Sequence, residues 1–333
     1  MGMTKQIRYG ALALLLASTA ACSDPIADHI LGIDAVGDVF IFLYLDNDLS
    51  TSYIAVRDTK LTGTWVDLVM HGAATRVRGG PTDTLAIRAF KVPVGRYTVH
   101  VDSTVTGDTL ELESNPEFTV VKNDSRTYVV GLKYLTYSVD EARSLPTTRR
   151  GWIRGIVVNS PNTFGDSTVH VLSDSGSVAI RVVGVRPVFP VIAGDTALFL
   201  GRRSERDGQT IWLSTLPGPD PVIHSAGPLP LPDTLTSAAA ASADGGTRDA
   251  RFAIVRAATV ADTTTTGGSK VVHMDDGSGI LAVVFAPNIN FGPFNQYAPG
   301  VVLDVTGVLV PDPAMPGTWV LKPRAGADIM IQP

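Results

Sequence analysis

Ser269–Pro287 reads SKVVHMDDGSGILAVVFAP, and a loop later Ala298–Gly307 reads APGVVLDVTG. Two apolar-rich runs flank an Asp-Asp-Gly-Ser-Gly turn, and a third run lies between Gly300 and Gly307. Runs of Val and Ile bounded by Gly and Asp predict a hairpin followed by a further strand. The pattern has an echo upstream: Ser167–Gly184 reads STVHVLSDSGSVAIRVVG and Ala193–Gly201 reads AGDTALFLG. Ser167–Asp174 matches Ser269–Asp276, and Gly194–Gly201 matches Gly300–Gly307. Stepping back from the two Asp residues by a common interval reaches WIRGIVV with Gly155 and AIVRAAT with Ala257. Stepping forward, each copy ends in a Gly-started aromatic strand, GQTIWLS at Gly208 and GTWVLKP at Gly317. Each copy also opens with a short alanine-bearing helical segment, VDEARSL at Val139 and LTSAAAA at Leu235. The copies differ in loop length, where insertions are tolerated. The spacing therefore predicts two tandem copies of one module of under ~100 residues, an ordinary domain size.

The chain has 333 residues, with 27 Lys and Arg against 32 Asp and Glu, a net charge of −5. That length allows two or three domains. Only 18% of the residues are charged, while Gly (32) and Pro (22) are plentiful. With abundant Val and Thr this composition favours many short, turn-punctuated strands. Beyond the N-terminus no long stretch has a helical period, so the expected fold class is all-β. The negative balance argues against a dedicated nucleic-acid binder, which carries a basic face. A single cysteine, Cys22, excludes an intrachain disulfide and a Cys-rich metal site. The six histidines are scattered, with no two at metal-ligand spacing, so neither metal nor cofactor is expected.

Lys5 and Arg8 form a positive segment ahead of the apolar run ALALLLA at Ala11, which is too short to span a bilayer. Thr19-Ala20-Ala21-Cys22 follows. This resembles a bacterial lipoprotein signal, in which small residues precede a cysteine that becomes lipidated. The family prefers Leu where Thr19 stands. The resemblance implies a signal peptide over 1–21, lipidation at Cys22, a membrane partner through the lipid, and a tether over 22–33. Ser23, rather than Asp, after the cysteine implies the outer membrane in enteric-type sorting. The alternative is an ordinary secretory cleavage site with an incidental cysteine.

From Val36 the strands VFIFLYL, SYIAVRD, TWVDLVM, LAIRAFKVP, RYTVHVDS, TLELES, EFTVVKN and RTYVVGLKYL succeed one another with the turn spacing of a sandwich. In RYTVHVDS, Tyr97, Val99 and Val101 share one face. Asp83–Ser103, with its Pro93-Val94-Gly95-Arg96-Tyr97 turn, resembles the end of carboxypeptidase-regulatory-like and related prealbumin-like β-sandwiches. That resemblance implies a structural or adhesive β-sandwich domain over 34–137. Asp46-Asn47-Asp48 lacks the Gly and terminal Glu of a calcium loop and reads as a hairpin turn.

In each module a first strand carries Gly155 or Ala257 near its middle, where a barrel strand bends. A hairpin, a connector and two further strands complete the strand order of the OB-fold. Arg154-Gly155-Ile156-Val157, Asp276-Gly277-Ser278-Gly279-Ile280, Leu303-Asp304-Val305-Thr306-Gly307 and Trp319-Val320-Leu321 resemble OB-like domains of secreted and lipid-anchored bacterial proteins. The first copy departs at Ser177 and Leu200, where the second has Gly279 and Thr306. The resemblance implies five-stranded barrels over 138–222 and 234–333. Between them Gly218–Asp233, rich in Pro and Gly, reads as a semi-extended linker centred on 223–233. Thr259–Lys270 reads as a polar hairpin loop.

OB-folds that bind single strands do so on the face of their second and third strands, with aromatics and Arg or Lys. In the first module Val178, Ile180 and Val182 share one face, and Ala179, Arg181 and Val183 the other. If the first set fills the barrel, Arg181 stands on the open face. Arg154, Arg202, Arg203 and Trp212 are candidates to join it in binding a single-stranded nucleic acid or an oligosaccharide. The competing reading pairs these arginines with Asp174, Glu205 or Asp207, and it is favoured because a phosphate-tracking groove is basic while this module is nearly neutral. In the second module the equivalent outer face would hold Leu281, Val283 and Phe285. Such an apolar row either packs on a neighbouring domain or meets an envelope protein partner. Phe291, Phe294 and Tyr297 in the connector either cap the barrel bottom or line a pocket.

No nucleophile elbow, paired histidines or P-loop is present, so no enzyme is expected, and fold alone implies no chemistry. The reading is a non-catalytic, lipid-anchored cell-envelope protein with a binding or interaction role. An accessory subunit of an envelope nuclease complex is the further alternative.

Overall fold

A computed structural model of the protein describes residues 36–46, 59–72, 76–101, 104–105, 108–113, 117–206, 208–214, 221–266 and 269–333. Cys22 with its signal and tether, Asn47-Asp48 and the expected strand SYIAVRD lie outside the described residues. The chain divides into two compact units. The first comprises residues 1–42, 62–101 and 115–130; the second comprises 43–61, 102–114 and 131–333. This division cuts across the expected 34–137 domain, because pieces of its strands cluster with the barrels. One reason is the buried Asp108, whose carboxylate accepts a 2.9 Å hydrogen bond from the Arg150 backbone N–H, at the start of the first barrel.

The strands before residue 135 are β1 (Val36–Asp46), β2 (Thr59–Lys60), β3 (Trp65–Met70), β4 (Arg76–Pro81), β5 (Ile87–Pro93), β6 (Gly95–Val101), β7 (Thr104–Val105), β8 (Asp108–Leu112), β9 (Glu117–Val120) and β10 (Ser125–Tyr134). In the first unit β4-β3-β6-β9 form one antiparallel sheet. The first part of β1 pairs with β5, from Val36↔Pro93 to Phe42↔Ile87. Val39 and Ile41, Val66 and Leu68, Tyr97 and Val99, and Phe118 and Val120 are all buried, the period of two that a β-sandwich requires. The Pro93–Tyr97 turn is pinned by the Tyr97 hydroxyl, which donates 2.9 Å to the Pro93 carbonyl. Burial pushes the pKa of that hydroxyl up to about 12.

The second unit holds the remainder of β1 paired with β2, the end of β10 paired with β8, and both barrels. The first barrel sheet contains β11 (Thr136–Ser138), helix α1 (Val139–Ser144), β12 (Arg150–Val157), β13 (Thr168–Leu172), β14 (Ala179–Val183), β15 (Asp195–Arg206), β16 (Gln209–Ser214) and β17 (Val222–Ala226). The second contains β18 (Asp233–Leu235), helix α2 (Ser237–Ala241), β19 (Phe252–Thr266), β20 (Ser269–Asp275), β21 (Ile280–Phe285), β22 (Val302–Pro311), β23 (Trp319–Lys322) and β24 (Ile329–Ile331). Their strand orders are β11-β12-β13-β14-β16-β15-β17 and β18-β19-β20-β21-β23-β22-β24, with β12–β15 and β19–β22 closing each circuit. The third and fifth barrel strands run parallel, β14 with β16 and β21 with β23, as do the leading strands β11 with β12 and β18 with β19, and the other pairs are antiparallel. This is the connectivity of the OB-fold.

The matched glycines do matched work. Gly194 and Gly300 both have positive φ, 96° and 89°, where a side chain is disfavoured. Both donate to the first barrel strand, Gly194 to the Val157 carbonyl at the end of β12 at 2.8 Å and Gly300 to the Val260 carbonyl within β19 at 2.9 Å. The bends in the first strands are made differently. Gly155 lies so close to β13 that a Cβ would stand 2.3 Å from the Leu172 carbonyl oxygen. Ala257 instead sits in a bulge at φ 49°, its N–H taken by the buried Asp304 carboxylate at 2.7 Å. Gly155→Ala is therefore expected to cost about 1–3 kcal/mol through overpacking, read as a lowered denaturation midpoint of the full chain. An unchanged midpoint would mean that β12 and β13 do not approach this closely.

Two expectations about connectors are corrected. Val222–Ala226 is not free linker but strand β17, paired with β15, and Pro230 beyond it lies against Gly176. Thr259–Thr266 is not a loop but the end of β19, paired with β20 up to Thr266↔Ser269. Threonines are β-branched and suit an exposed strand as well as a turn region.

Each barrel has its own core, the first around Ile153, Val169, Ile180, Phe199 and Trp212, the second around Val255, Val272, Met274, Leu281 and Leu309. A third cluster joins them. Val158, Phe164, Leu172 and Ala179 of the first barrel pack with Phe252, Val308, Val310 and Val320 of the second.

Candidate functional site

The face on which OB-folds commonly bind is that of β13 and β14, and in the first barrel it is covered. All five residues of β13 are buried, so both of its faces are sealed. His170 and Arg181 are direct cross-strand partners on the outer face, as the expected phase of β14 requires. Arg181 is only 16% exposed at its side chain and pairs with Asp166 at 3.2 Å. Its guanidinium also donates to Gln209 Oε1 at 3.5 Å. Gln209 Nε2 and Trp319 Nε1 both donate to Asp249 Oδ1, at 2.9 and 2.8 Å, and the Gln209 bond links the first barrel to the second. Burial raises the Asp249 pKa above the ordinary carboxylate value.

His170 is 1% exposed. Asn159 Nδ2 donates to the Ser160 and Thr168 carbonyls, which leaves its Oδ1 to accept from the backbone and ring Nδ1 of His170, each at 2.9 Å. The ring proton therefore sits on Nδ1. Burial, followed by the charges of Arg181 and Lys322, holds the pKa of this imidazole well below its usual value, so it is neutral at neutral pH. Burial likewise lowers the pKa of Lys322, whose ammonium lies 5.6 Å from the centre of the Phe164 ring.

The other arginines do not assemble around Arg181. Arg154 is half exposed and pairs with Asp174 at 2.5 Å. Arg203 pairs with Glu205 at 2.7 Å. Arg202 lies beside it on β15, exposed. Trp212 is a correction: it is 0% exposed in the barrel core and its Nε1 donates 3.1 Å to the Phe199 carbonyl, so it presents no aromatic platform.

Leu281, Val283 and Phe285 are the second correction. They are 0%, 1% and 4% exposed inside the second barrel, while Ile280 is 58% exposed. The residues that pack against the cluster joining the barrels are their alternates, Ala282 and Val284. The reason is turn length. Val171 pairs with Ile180 across eight intervening residues, and Met274 pairs with Leu281 across six. Matching the two turns residue for residue, as SDSGS to DDGSG invites, shifts β21 by one position and exchanges its faces. Phe291 and Tyr297 cap the barrel, with ring centres 4.6 and 5.0 Å from that of Phe285, and the Tyr297 hydroxyl donates to the Phe291 carbonyl at 2.6 Å.

A cleft of about 300 Å³ lies on the first barrel between the β13–β14 turn and the start of α1. Thr136, Ser138, Asp140, Arg154, Asp174 and Ser175 are among its walls. Of the candidate binding residues read from the sequence, Arg154 lines it, together with its pairing partner Asp174. Gln209, Asp249 and Trp319, which meet at the joint, escaped sequence reasoning because their partners lie 40 to 70 residues away. The buried His170 left a local trace, since Thr168 and His170 alternate with Val169 and Val171 in β13.

No protein-family model matches this chain. No curated protein matches it either. Among solved structures, a minor pilin of Streptococcus agalactiae, GBS52, is similar at 15% identity and TM-score 0.25 over 30% of this chain and 45% of that one. The Bacillus anthracis TIE protein is similar at 16% identity and TM-score 0.24 over 52% of this chain and 30% of that one. A murine DNA-binding protein solved with double-stranded DNA is similar at 11% identity and TM-score 0.28 over 54% of this chain and 97% of that one. The chain spans less than half the length of the first two. At these TM-scores the likenesses carry no argument about function.

Proposed function

We propose that the protein is a non-catalytic, lipid-anchored component of the cell envelope that binds or interacts through its β-domains. The observation that carries this reading is the burial of the β13–β14 face under the second barrel. A single strand needs that face open, with exposed aromatics and a continuous basic track. Here Arg181 is paired and covered, Trp212 is in the core, and Arg154 and Arg203 are each neutralised by a carboxylate. The anchor reading rests on the Cys22 signal, and the outer membrane on Ser23.

The experiment is fluorescence anisotropy of the full chain with a labelled single-stranded oligonucleotide at two salt concentrations. Binding is expected to be undetectable at physiological salt. Tight binding that falls by orders of magnitude between about 50 and 200 mM salt, and that Arg154→Ala with Arg181→Ala abolishes, would overturn the proposal in favour of a nucleic-acid role.

A further inference from the structure

The two barrels share one connectivity but treat one place differently. In the second barrel the β20–β21 turn is locked onto α2. The Asp276 carboxylate accepts from the Ser237 N–H at 3.1 Å, and the Ser278 hydroxyl accepts from the Ala238 N–H at 3.0 Å. Gly279 lets the turn approach so closely that a Cβ there would stand 3.3 Å from the Ala238 methyl. In the first barrel those bonds are absent among the described residues. The start of α1 is satisfied by its own capping box, in which the Ser138 N–H donates to Glu141 Oε2 at 2.8 Å and the Ser138 hydroxyl accepts from the Glu141 N–H at 3.3 Å. The longer turn folds on itself through the hydroxyls of Ser173, Ser175 and Ser177, at 3.1 and 2.5 Å. Pro230 of the connector backs it at Gly176. The space closed in the second barrel is the cleft of about 300 Å³ in the first.

We propose that this cleft is a binding site for a neutral, hydroxyl-rich ligand of the oligosaccharide class. The chemistry of its walls selects the class. One guanidinium, Arg154, stands against two carboxylates, Asp140 and Asp174, so the site carries a net negative charge and disfavours phosphates, sulfates and nucleic acid. Neighbouring hydroxyls of a sugar can donate to a carboxylate and accept from a guanidinium at once, and charged partners make the stronger hydrogen bonds. The Thr136 hydroxyl can both donate and accept, while those of Ser138, Ser173 and Ser175 are engaged in the capping box and within the turn and offer a ligand their remaining acceptor lone pairs. A volume of about 300 Å³ is at the lower end for small-ligand clefts. The inference rests on the non-catalytic binding reading but uses a different surface from the closed β13–β14 face.

The test is calorimetric titration of the full chain with three probes: a glucose tetramer, an N-acetylglucosamine tetramer and heparin. Saturable binding of at least one neutral tetramer is expected. Arg154→Ala combined with Asp174→Ala is expected to weaken it by about 10-fold or more, the loss of charged hydrogen bonds. Arg203→Ala, outside the cleft, leaves it unchanged. The inference is overturned if neither tetramer binds, if heparin alone binds, or if the double variant binds as the parent does. None of these outcomes bears on the anchor or the oligonucleotide measurement, so the two proposals fail separately.

Discussion

Leu281→Asn is expected to destabilise the protein by about 3–5 kcal/mol, whereas Ile280→Asn one residue away is expected to change stability by less than about 0.5 kcal/mol. Leu281 is 0% exposed in a core that also holds Met274, Val283 and Leu321. Asparagine there removes apolar contacts and buries an amide without partners. Ile280 is 58% exposed at the start of β21, so its replacement touches little. Chemical denaturation of both variants of the full chain decides between the two phases of the strand. A large effect at Ile280 with a small one at Leu281 would restore the phase expected from turn matching. The predicted loss is comparable with the whole stability of a typical domain, about 5–15 kcal/mol, so Leu281→Asn is also expected to lower the soluble yield.

The other large expected effect is on location. Cys22→Ser removes the thiol on which lipoprotein processing depends. The protein is expected to move from the membrane fraction to the soluble fraction, or to remain as unprocessed precursor. The magnitude follows from chain counting. A single acyl chain gives only marginal attachment, with about 0.8 kcal/mol per buried methylene, while several chains on one residue hold durably. Among the described residues no helix is long and apolar enough to cross a membrane. Fractionation with mass spectrometry of the mature N-terminus checks the prediction. A soluble wild-type protein whose Cys22 is unmodified, or which starts beyond it, would remove the anchor from the proposed function.

The barrels were legible because their signals are local. Gly194 and Gly300 mark the same positive-φ turn in each copy. Val139–Ser144 and Ser237–Ala241 form the two expected short helices, each entered through a hydroxyl cap, Ser138 or Thr236. The phase of β14 was readable from its own alternation, because Ile180 and Val182 are apolar while Arg181 between them is charged. In β21 every residue is apolar, so alternation could not say which face is inside. The expectation then leaned on the neighbouring turn, whose length differs by two residues between the copies.

What the sequence by itself determined is the all-β class, the two-fold repetition, the hairpins and short helices, and the pairing of exposed arginines such as Arg154 with Asp174. These follow from neighbours along the chain or within one hairpin. The docking of the barrels was decided only in the tertiary structure. It buries Leu172 and Ala179 against Val308, Val310 and Val320, gathers Gln209, Asp249 and Trp319, and closes the β13–β14 face. The physical reason is that burial of an outer face depends on a second surface of matching shape far along the chain. An apolar or uncharged residue on a strand reads the same whether its cover is its own barrel or another.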